Sequence, residues 1–169
     1  MKKIFTIVIL CFLVACSNND KKTTDNTNQI VDTLKYEKLK DLISKQDDVL
    51  YVVNFWATWC KPCVQELPDF MEVNQKFKSN DKYKMILVSL DKASDLDTKV
   101  KPFLRENKIT PDVYLLNDNK RMNEWIPAFD SNWDGAIPTT FIYKNGIKLK
   151  YIDKQINKTE LTKTIQNYL

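Results

Sequence analysis

The 169-residue sequence predicts an α/β domain: a mixed central sheet flanked by helices. Three observations carry that expectation. Apolar runs rich in β-branched and aromatic residues recur along the chain, stretches of helical period separate them, and the last two strands meet at Asn145-Gly146, a strong hairpin signal. With 43 % hydrophobic and 28 % charged residues, the chain suits one core with appendages rather than two full-sized domains.

Leu34, Leu39, Leu42 and Ile43 give an imperfect helical face that ends near Gln46. Val49 to Ala57, VLYVVNFWA, is a continuous apolar run, the pattern of a strand buried on both faces. From Cys60 to Lys78 the stripe Val64, Leu67, Phe70, Met71, Val73, Asn74 and Phe77 marks a helix, with a kink expected at Pro68. Tyr83 to Leu90 reads as a second buried strand, followed by a helix over Leu96 to Asn107 and a short strand at Val113 to Leu116. A weakly patterned helical segment spans Arg121 to Phe129 and is expected to break at Pro127. Thr139 to Tyr143 and Ile147 to Ile152 form the hairpin strands. A last helix starts at Asn157, with Glu160 three residues on as a capping-box match, and runs to Leu169.

The N-terminal residues follow a different logic. Lys2 and Lys3 precede an apolar run from Ile4 to Val14, too short to cross a bilayer, so residues 1–15 read as an export signal. The ending Leu13-Val14-Ala15-Cys16 resembles the bacterial lipobox, which implies acylation of Cys16 and a lipid anchor in a membrane. Polar residues from Ser17 to Thr33 complete a segment, 16–33, read as a flexible tether with a reach of about 20–25 Å. The folded domain is then expected over residues 34–169.

Composition excludes several chemistries. The chain has no histidine, which removes imidazole catalysis and histidine-ligated metal. Its 26 basic and 22 acidic residues are spread without a basic run beside aromatics, so nucleic acid is not an expected partner.

The stretch FWATWCKPCVQELP holds Cys60 and Cys63 two residues apart. Zinc needs four ligands, more than the chain offers near this pair, and haem attachment needs a histidine where Val64 stands. A staple across two intervening residues closes almost no loop and gives little stability. Redox exchange is the reading that remains. A buried strand delivers Cys60 to a helix N-terminus, where unpaired N–H groups and the helix dipole favour a thiolate; Cys60 is the expected attacking sulfur and Cys63 the resolving one. Pro62 fixes a helical φ in the loop, Lys61 adds a positive charge beside Cys60, Trp59 is expected to contact substrate, and Trp56 belongs in the core.

At NFWATWCKPCVQELP (Asn54 to Pro68) and GAIPTTF (Gly135 to Phe141), the sequence resembles the thioredoxin superfamily and, within it, the exported ResA/TlpA-type thiol-disulfide oxidoreductases. The resemblance implies a thioredoxin fold with a helix-strand insertion around residues 95–116. It implies a cis Pro138 facing the cysteines, with the Ile137 backbone edge available to an extended substrate. Where cytosolic thioredoxins carry a buried aspartate, this chain has Asn54; the resemblance instead implies that Glu66, one turn beyond Cys63, relays its protons. The alternative for Glu66 is a solvated helix residue. Trp125, Trp133 and Asp134 are read either as lining the groove edge or as core and rim packing.

The implied activity is protein thiol-disulfide exchange through the redox-active Cys60–Cys63 pair, with no other cofactor and no metal. The implied setting is the bacterial cell envelope, lipid-anchored and facing the periplasm or exterior. The implied partners are disulfide-bearing exported proteins, often apocytochrome c in cytochrome c maturation, and a membrane thiol-disulfide electron donor. Reduction is expected, with a disulfide-generating oxidase or isomerase of the same fold as the alternative; oxidation is less favoured because Lys61-Pro62 lacks the histidine that strong oxidants carry between their cysteines. A peroxidase of the related peroxiredoxin type would need Pro-x-x-x-Thr-x-x-Cys, and Thr58 lies one residue too close to Cys60. A non-enzymatic lipoprotein binding module on the same fold is the alternative of another class.

Overall fold

A computed structural model describes residues 30–169; the expected signal segment, Cys16 and the tether up to residue 29 lie outside the described residues. The sheet has six strands: β1 (Val31–Leu34), β2 (Leu50–Trp56), β3 (Tyr83–Ser89), β4 (Asp112–Leu116), β5 (Thr139–Lys144) and β6 (Ile147–Ile152). Their spatial order is β1-β4-β3-β2-β5-β6, parallel from β1 to β2 and antiparallel from β2 through β5 to β6. The five α-helices are α1 (Tyr36–Ile43), α2 (Lys61–Phe77), α3 (Lys101–Glu106), α4 (Met122–Phe129) and α5 (Lys158–Tyr168). This is the mixed α/β thioredoxin architecture.

Every residue of β2 is buried, as its unbroken apolar run requires of a central strand. Because side chains alternate across a sheet, Leu50, Val52 and Trp56 join one core with Cys63, Leu67 and Phe70 of α2 and Leu161 and Ile165 of α5. Tyr51, Val53 and Phe55 join the other, with Leu39 and Ile43 of α1 and Trp125 and Phe129 of α4. The second core is aromatic: the Phe55 ring centroid lies 5.0 Å from that of Phe129, 4.8 Å from that of Trp133 and 5.7 Å from that of Phe141. Truncating so enclosed a ring costs about 3–5 kcal/mol, so Phe55 anchors the strand that carries Asn54 to the site.

Several boundaries differ from the sequence reading. Residues 31–33, assigned to the tether, belong to the sheet, where β1 pairs register for register with Val113–Leu116 of β4. An edge strand needs little apolar content when its ladder and a few side-chain bonds hold it, here including Ile30 N–H to Asp112 Oδ1 at 2.9 Å. Leu34 is thus a strand residue rather than the start of the first helix. The insertion forms one 3₁₀ turn, Ala93–Asp95, and a wide turn, Leu96–Val100, before α3, and its strand β4 lies inside the sheet, between β1 and β3. Pro68 sits within α2, on its exposed side, and the helix continues to Phe77.

Pro127 likewise does not end α4, which runs to Phe129. Its missing N–H would have bonded the carbonyl of Asn123, an exposed residue whose carbonyl water can serve, while buried Trp125 and Phe129 hold the helix on the sheet. At the hairpin, Asn145 and Gly146 both have positive φ, 50° and 74°, as a two-residue turn matched to strand twist demands. Asn157 caps α5 by accepting the Glu160 N–H at 3.0 Å.

Candidate active site

β2 ends at Trp56, and four residues later the chain enters α2 with Cys60 as its N-cap. Cys60 Sγ accepts the N–H of Cys63 at 3.3 Å, so the sulfur takes up one of the donors that a helix start leaves unpaired. Cys60 and Cys63 form a disulfide with Cα atoms 5.3 Å apart. Cys60 keeps 6 % of its surface exposed and Cys63 none, so an attacking sulfur reaches Cys60. Pro62 occupies the first turn, where no N–H is needed, and both it and Lys61 face solvent.

Against the pair lies the loop before β5. The Ile137–Pro138 peptide bond is cis, and the Ile137 carbonyl oxygen sits 3.7 Å from Cys60 Sγ. Trp133 Nε1–H and Thr139 Oγ1–H both donate to the Ala136 carbonyl at 2.8 Å, and Asp134 Oδ1 accepts the Ala136 N–H at 2.9 Å. Gly135 turns the chain at φ 91°, where a Cβ would stand 2.8 Å from Ile126 Cδ1. Trp125 and Trp133 are buried, core residues rather than groove lining, and Trp133 and Asp134 both bond Ala136, the residue before Ile137.

One turn beyond Cys63, Glu66 is buried with 2 % exposure, which excludes a solvated helix residue. Its Oε1 accepts from Asn54 Nδ2 at 2.8 Å and its Oε2 from Ile156 N–H at 3.0 Å. Burial pushes its carboxyl up to about 7; the Ile156 and Asn54 donors pull the other way, and nearby Asp69 adds to the rise. Asn54 also donates to Thr140 Oγ1 at 3.1 Å, so its amide links the helix of the cysteines to the strand that follows Pro138. Among the described residues, Asn54 Oδ1 is buried without a hydrogen-bond partner.

On the other side of the CxxC, Trp59 is 67 % exposed, the most exposed of the large apolar side chains described. The residue before it, Thr58, is held by Asp91 through its N–H at 3.0 Å and its hydroxyl at 2.6 Å.

The arrangement joins a disulfide open at one sulfur, a backbone carbonyl edge beside that sulfur, an exposed indole and a buried carboxyl that titrates near neutrality. Its chemistry is exchange between a dithiol and a disulfide. Residues 21–152 match the family described as the AhpC/TSA family. The chain belongs to the AhpC/TSA family. Over 137 residues it is 30 % identical to the thiol-disulfide oxidoreductase ResA of Bacillus thuringiensis (strain Al Hakam), covering 79 % of this chain and 70 % of that protein. It is 31 % identical over 91 residues to the sporulation thiol-disulfide oxidoreductase A of Bacillus subtilis (strain 168), covering 54 % of this chain and 50 % of that protein. The chain thus matches half the length of the sporulation protein and more of ResA.

Among solved structures, a thiol:disulfide interchange protein from Chlorobium tepidum TLS aligns with TM-score 0.59 and 25 % identity over 73 % of this chain and 81 % of that one. StoA from Bacillus subtilis aligns with TM-score 0.55 over 72 % and 84 %, and at 24 % identity it speaks for the fold alone. With the CxxC disulfide in place, these relatives make this member of the AhpC/TSA family a thiol-disulfide oxidoreductase.

The structure brings together Cys60, Cys63, Glu66, Ile137 and Pro138, and places Trp59, Lys61 and Pro62 on the exposed rim. Sequence reading missed Asp91, Thr140 and Ile156. They reach the site from 33, 86 and 90 residues away from their partners, and although Thr140 lies within GAIPTTF, nothing local signals its bond to Asn54 or those of Asp91 and Ile156.

Proposed function

We propose that this protein is a membrane-anchored, extracytoplasmic reductant of disulfides in exported proteins, apocytochrome c among them. Acylated Cys16 anchors it in the bacterial cell envelope, the tether lets the domain turn, and a membrane thiol-disulfide electron donor restores its dithiol. The Cys60–Cys63 pair is the only redox group required, and nucleic acid has no part in the reaction. The observation that carries this reading is the placement of Cys60 Sγ at a helix N-terminus, beside the Ile137 carbonyl, with Glu66 buried one turn behind Cys63.

In the forward direction the Cys60 thiolate attacks one sulfur of the substrate disulfide, and the other substrate sulfur leaves as a thiolate that takes up a proton. An extended substrate segment pairs with the backbone at Ile137 and rests on Trp59. Cys63 then gives its proton to Glu66 and attacks Cys60 Sγ. The mixed disulfide breaks, its substrate sulfur leaves as a thiolate that takes up a proton, and the enzyme carries the Cys60–Cys63 disulfide while the substrate carries two thiols. A carboxyl held at about 7 suits that transfer, because it can accept and release the proton near neutral pH.

The test is the reduction potential of the pair, obtained by equilibrating the protein with defined thiol-disulfide buffers and following tryptophan fluorescence. A value near thioredoxin's about −270 mV, or lower, supports a reductant. A value near about −120 mV overturns that direction and makes the protein a disulfide donor.

A further inference from the structure

Asp91 lies just past the C-terminal end of β3 and is 1 % exposed. Its Oδ1 accepts the Thr58 hydroxyl at 2.6 Å, and its Oδ2 accepts the Thr58 N–H at 3.0 Å and the Ser89 hydroxyl at 2.8 Å. Its own N–H donates to Ser89 Oγ at 3.1 Å. All of these hydrogen-bond partners are neutral. A buried carboxylate is costly unless hydrogen bonds satisfy it, and two of the three donors here come from one residue of the loop that leads to the cysteines.

That loop is short and fixed at both ends. Leu90 N–H bonds the Trp56 carbonyl at 2.8 Å, extending the β2–β3 pairing past the strands, and Cys60 N–H bonds the Ala57 carbonyl at 3.1 Å, closing a turn. Thr58 is the residue between these two ties that Asp91 grips, by backbone and side chain together. Trp59 follows directly and projects into solvent, and Cys60 follows Trp59 as the cap of α2. The carboxylate thus sits behind the loop while the indole and the reactive sulfur stand on its front.

We propose that Asp91 is a positioning residue for thiol-disulfide exchange: through Thr58 it sets the loop that presents Trp59 and Cys60 to an extended protein segment. A small thiol needs only a path to Cys60 Sγ. A polypeptide thiol must also lie along Trp59 and the Ile137 edge, so it depends on where that loop is held. The proposal rests on the reading above that an extended segment docks at this edge.

The test uses Asp91→Ala, Asp91→Asn and Thr58→Val in the full chain. Stopped-flow tryptophan fluorescence gives the rates at which the Cys60–Cys63 disulfide is opened by reduced insulin B chain and by dithiothreitol. In each case a thiolate attacks Cys60 Sγ and a new S–S bond forms. The Cys60–Cys63 bond breaks, and Cys63 leaves as a thiolate that takes a proton. Asp91→Ala is expected to slow the peptide about 10-fold, and to slow it at least about 5-fold more than dithiothreitol. Asp91→Asn, which keeps the shape and one acceptor, recovers part of the loss. Thr58→Val, which keeps the loop N–H bond, loses roughly 3-fold on the peptide and decides the matter if Asp91→Ala fails to fold. Equal losses for both thiols, or no loss, overturn the assignment and leave Asp91 as support for the fold. A wild-type protein that shows no preference for the peptide counts instead against docking along the Ile137 edge.

Discussion

Two buried carboxylates flank the redox pair, and they are held in opposite ways. Asp91, on the β3 side, accepts from three neutral donors and fixes the loop before Cys60. Glu66, on the α2 side, accepts from two, one of them a side-chain amide, and its carboxyl is pushed up to about 7. A carboxylate that a fold needs as a clamp is surrounded by donors. One proposed to trade a proton is left short of them, so that burial outweighs hydrogen bonding and lifts it to about 7. On the roles proposed above, the same residue chemistry serves geometry on one side of the cysteines and proton transfer on the other.

The contrast has meaning only while the cysteines turn over, so the largest effect comes from removing one. Cys63→Ser is expected to abolish turnover and to leave substrate covalently attached to Cys60, seen as a band on a non-reducing gel that a reductant removes. Loss of turnover without that band would mean that Cys60 is not the attacking sulfur.

Glu66→Gln breaks the proton side of the comparison while keeping the side chain's size. Release of substrate from the mixed disulfide should slow roughly 10-fold or more at neutral pH and lose its inflection near 7. An unchanged pH profile would reduce Glu66 to a packing residue.

The same carboxyl predicts how stability varies with pH. Its folded value lies above its ordinary value of 4.5, so the folded protein holds the proton more tightly than the unfolded chain. The penalty for ionising it is absent well below 4.5, grows as pH rises through the window from 4.5 to about 7, and is complete above that. It amounts to about 3–4 kcal/mol at most. Denaturant melts at pH 5 and pH 8 should therefore show the wild type losing more stability with rising pH than Glu66→Gln. Equal slopes would place the carboxyl outside the buried setting described here.

Asn54→Ala sharpens the comparison further, because it removes one of the two donors that oppose burial. The inflection in the exchange rate should move to higher pH, and a shift to lower pH would contradict the bond from Nδ2 to Glu66. The smallest effect belongs to the rim: Trp59→Ala should raise KM for a protein substrate about 3- to 10-fold with little change in kcat. A fall in kcat alone would assign the indole to the chemistry rather than to docking.

What the sequence disclosed and what it hid follow from range. Strands such as β2 and β3 are legible because each is an apolar run whose burial is written into its own residues. Cys60 and Cys63 are legible because a helix start places them at fixed local spacing, and Glu66 because the family resemblance singled it out. β1 was hidden because an edge strand with Asp32 and Thr33 looks like tether until β4 is set beside it. Pro127 looked like a helix end because its residue type says so, whereas packing of Trp125 and Phe129 overrides that preference. Asp91 carries no pattern of its own, and Thr140 stands in a recognised stretch without any sign of its bond to Asn54; both meanings arise only when the sheet brings β3 and β5 beside β2.

The bond from Ile156 N–H to Glu66 Oε2 bears on how this family can vary. A main-chain donor is conserved by the path of the loop rather than by any letter of the gene. The Ile156 side chain is itself buried in the core, so replacements there are limited to apolar groups of similar size, and any of those still serves the carboxylate. Proline alone deletes the donor, so it acts on the carboxylate directly, whereas a small or polar residue there acts through the core that Ile156 shares with Cys63.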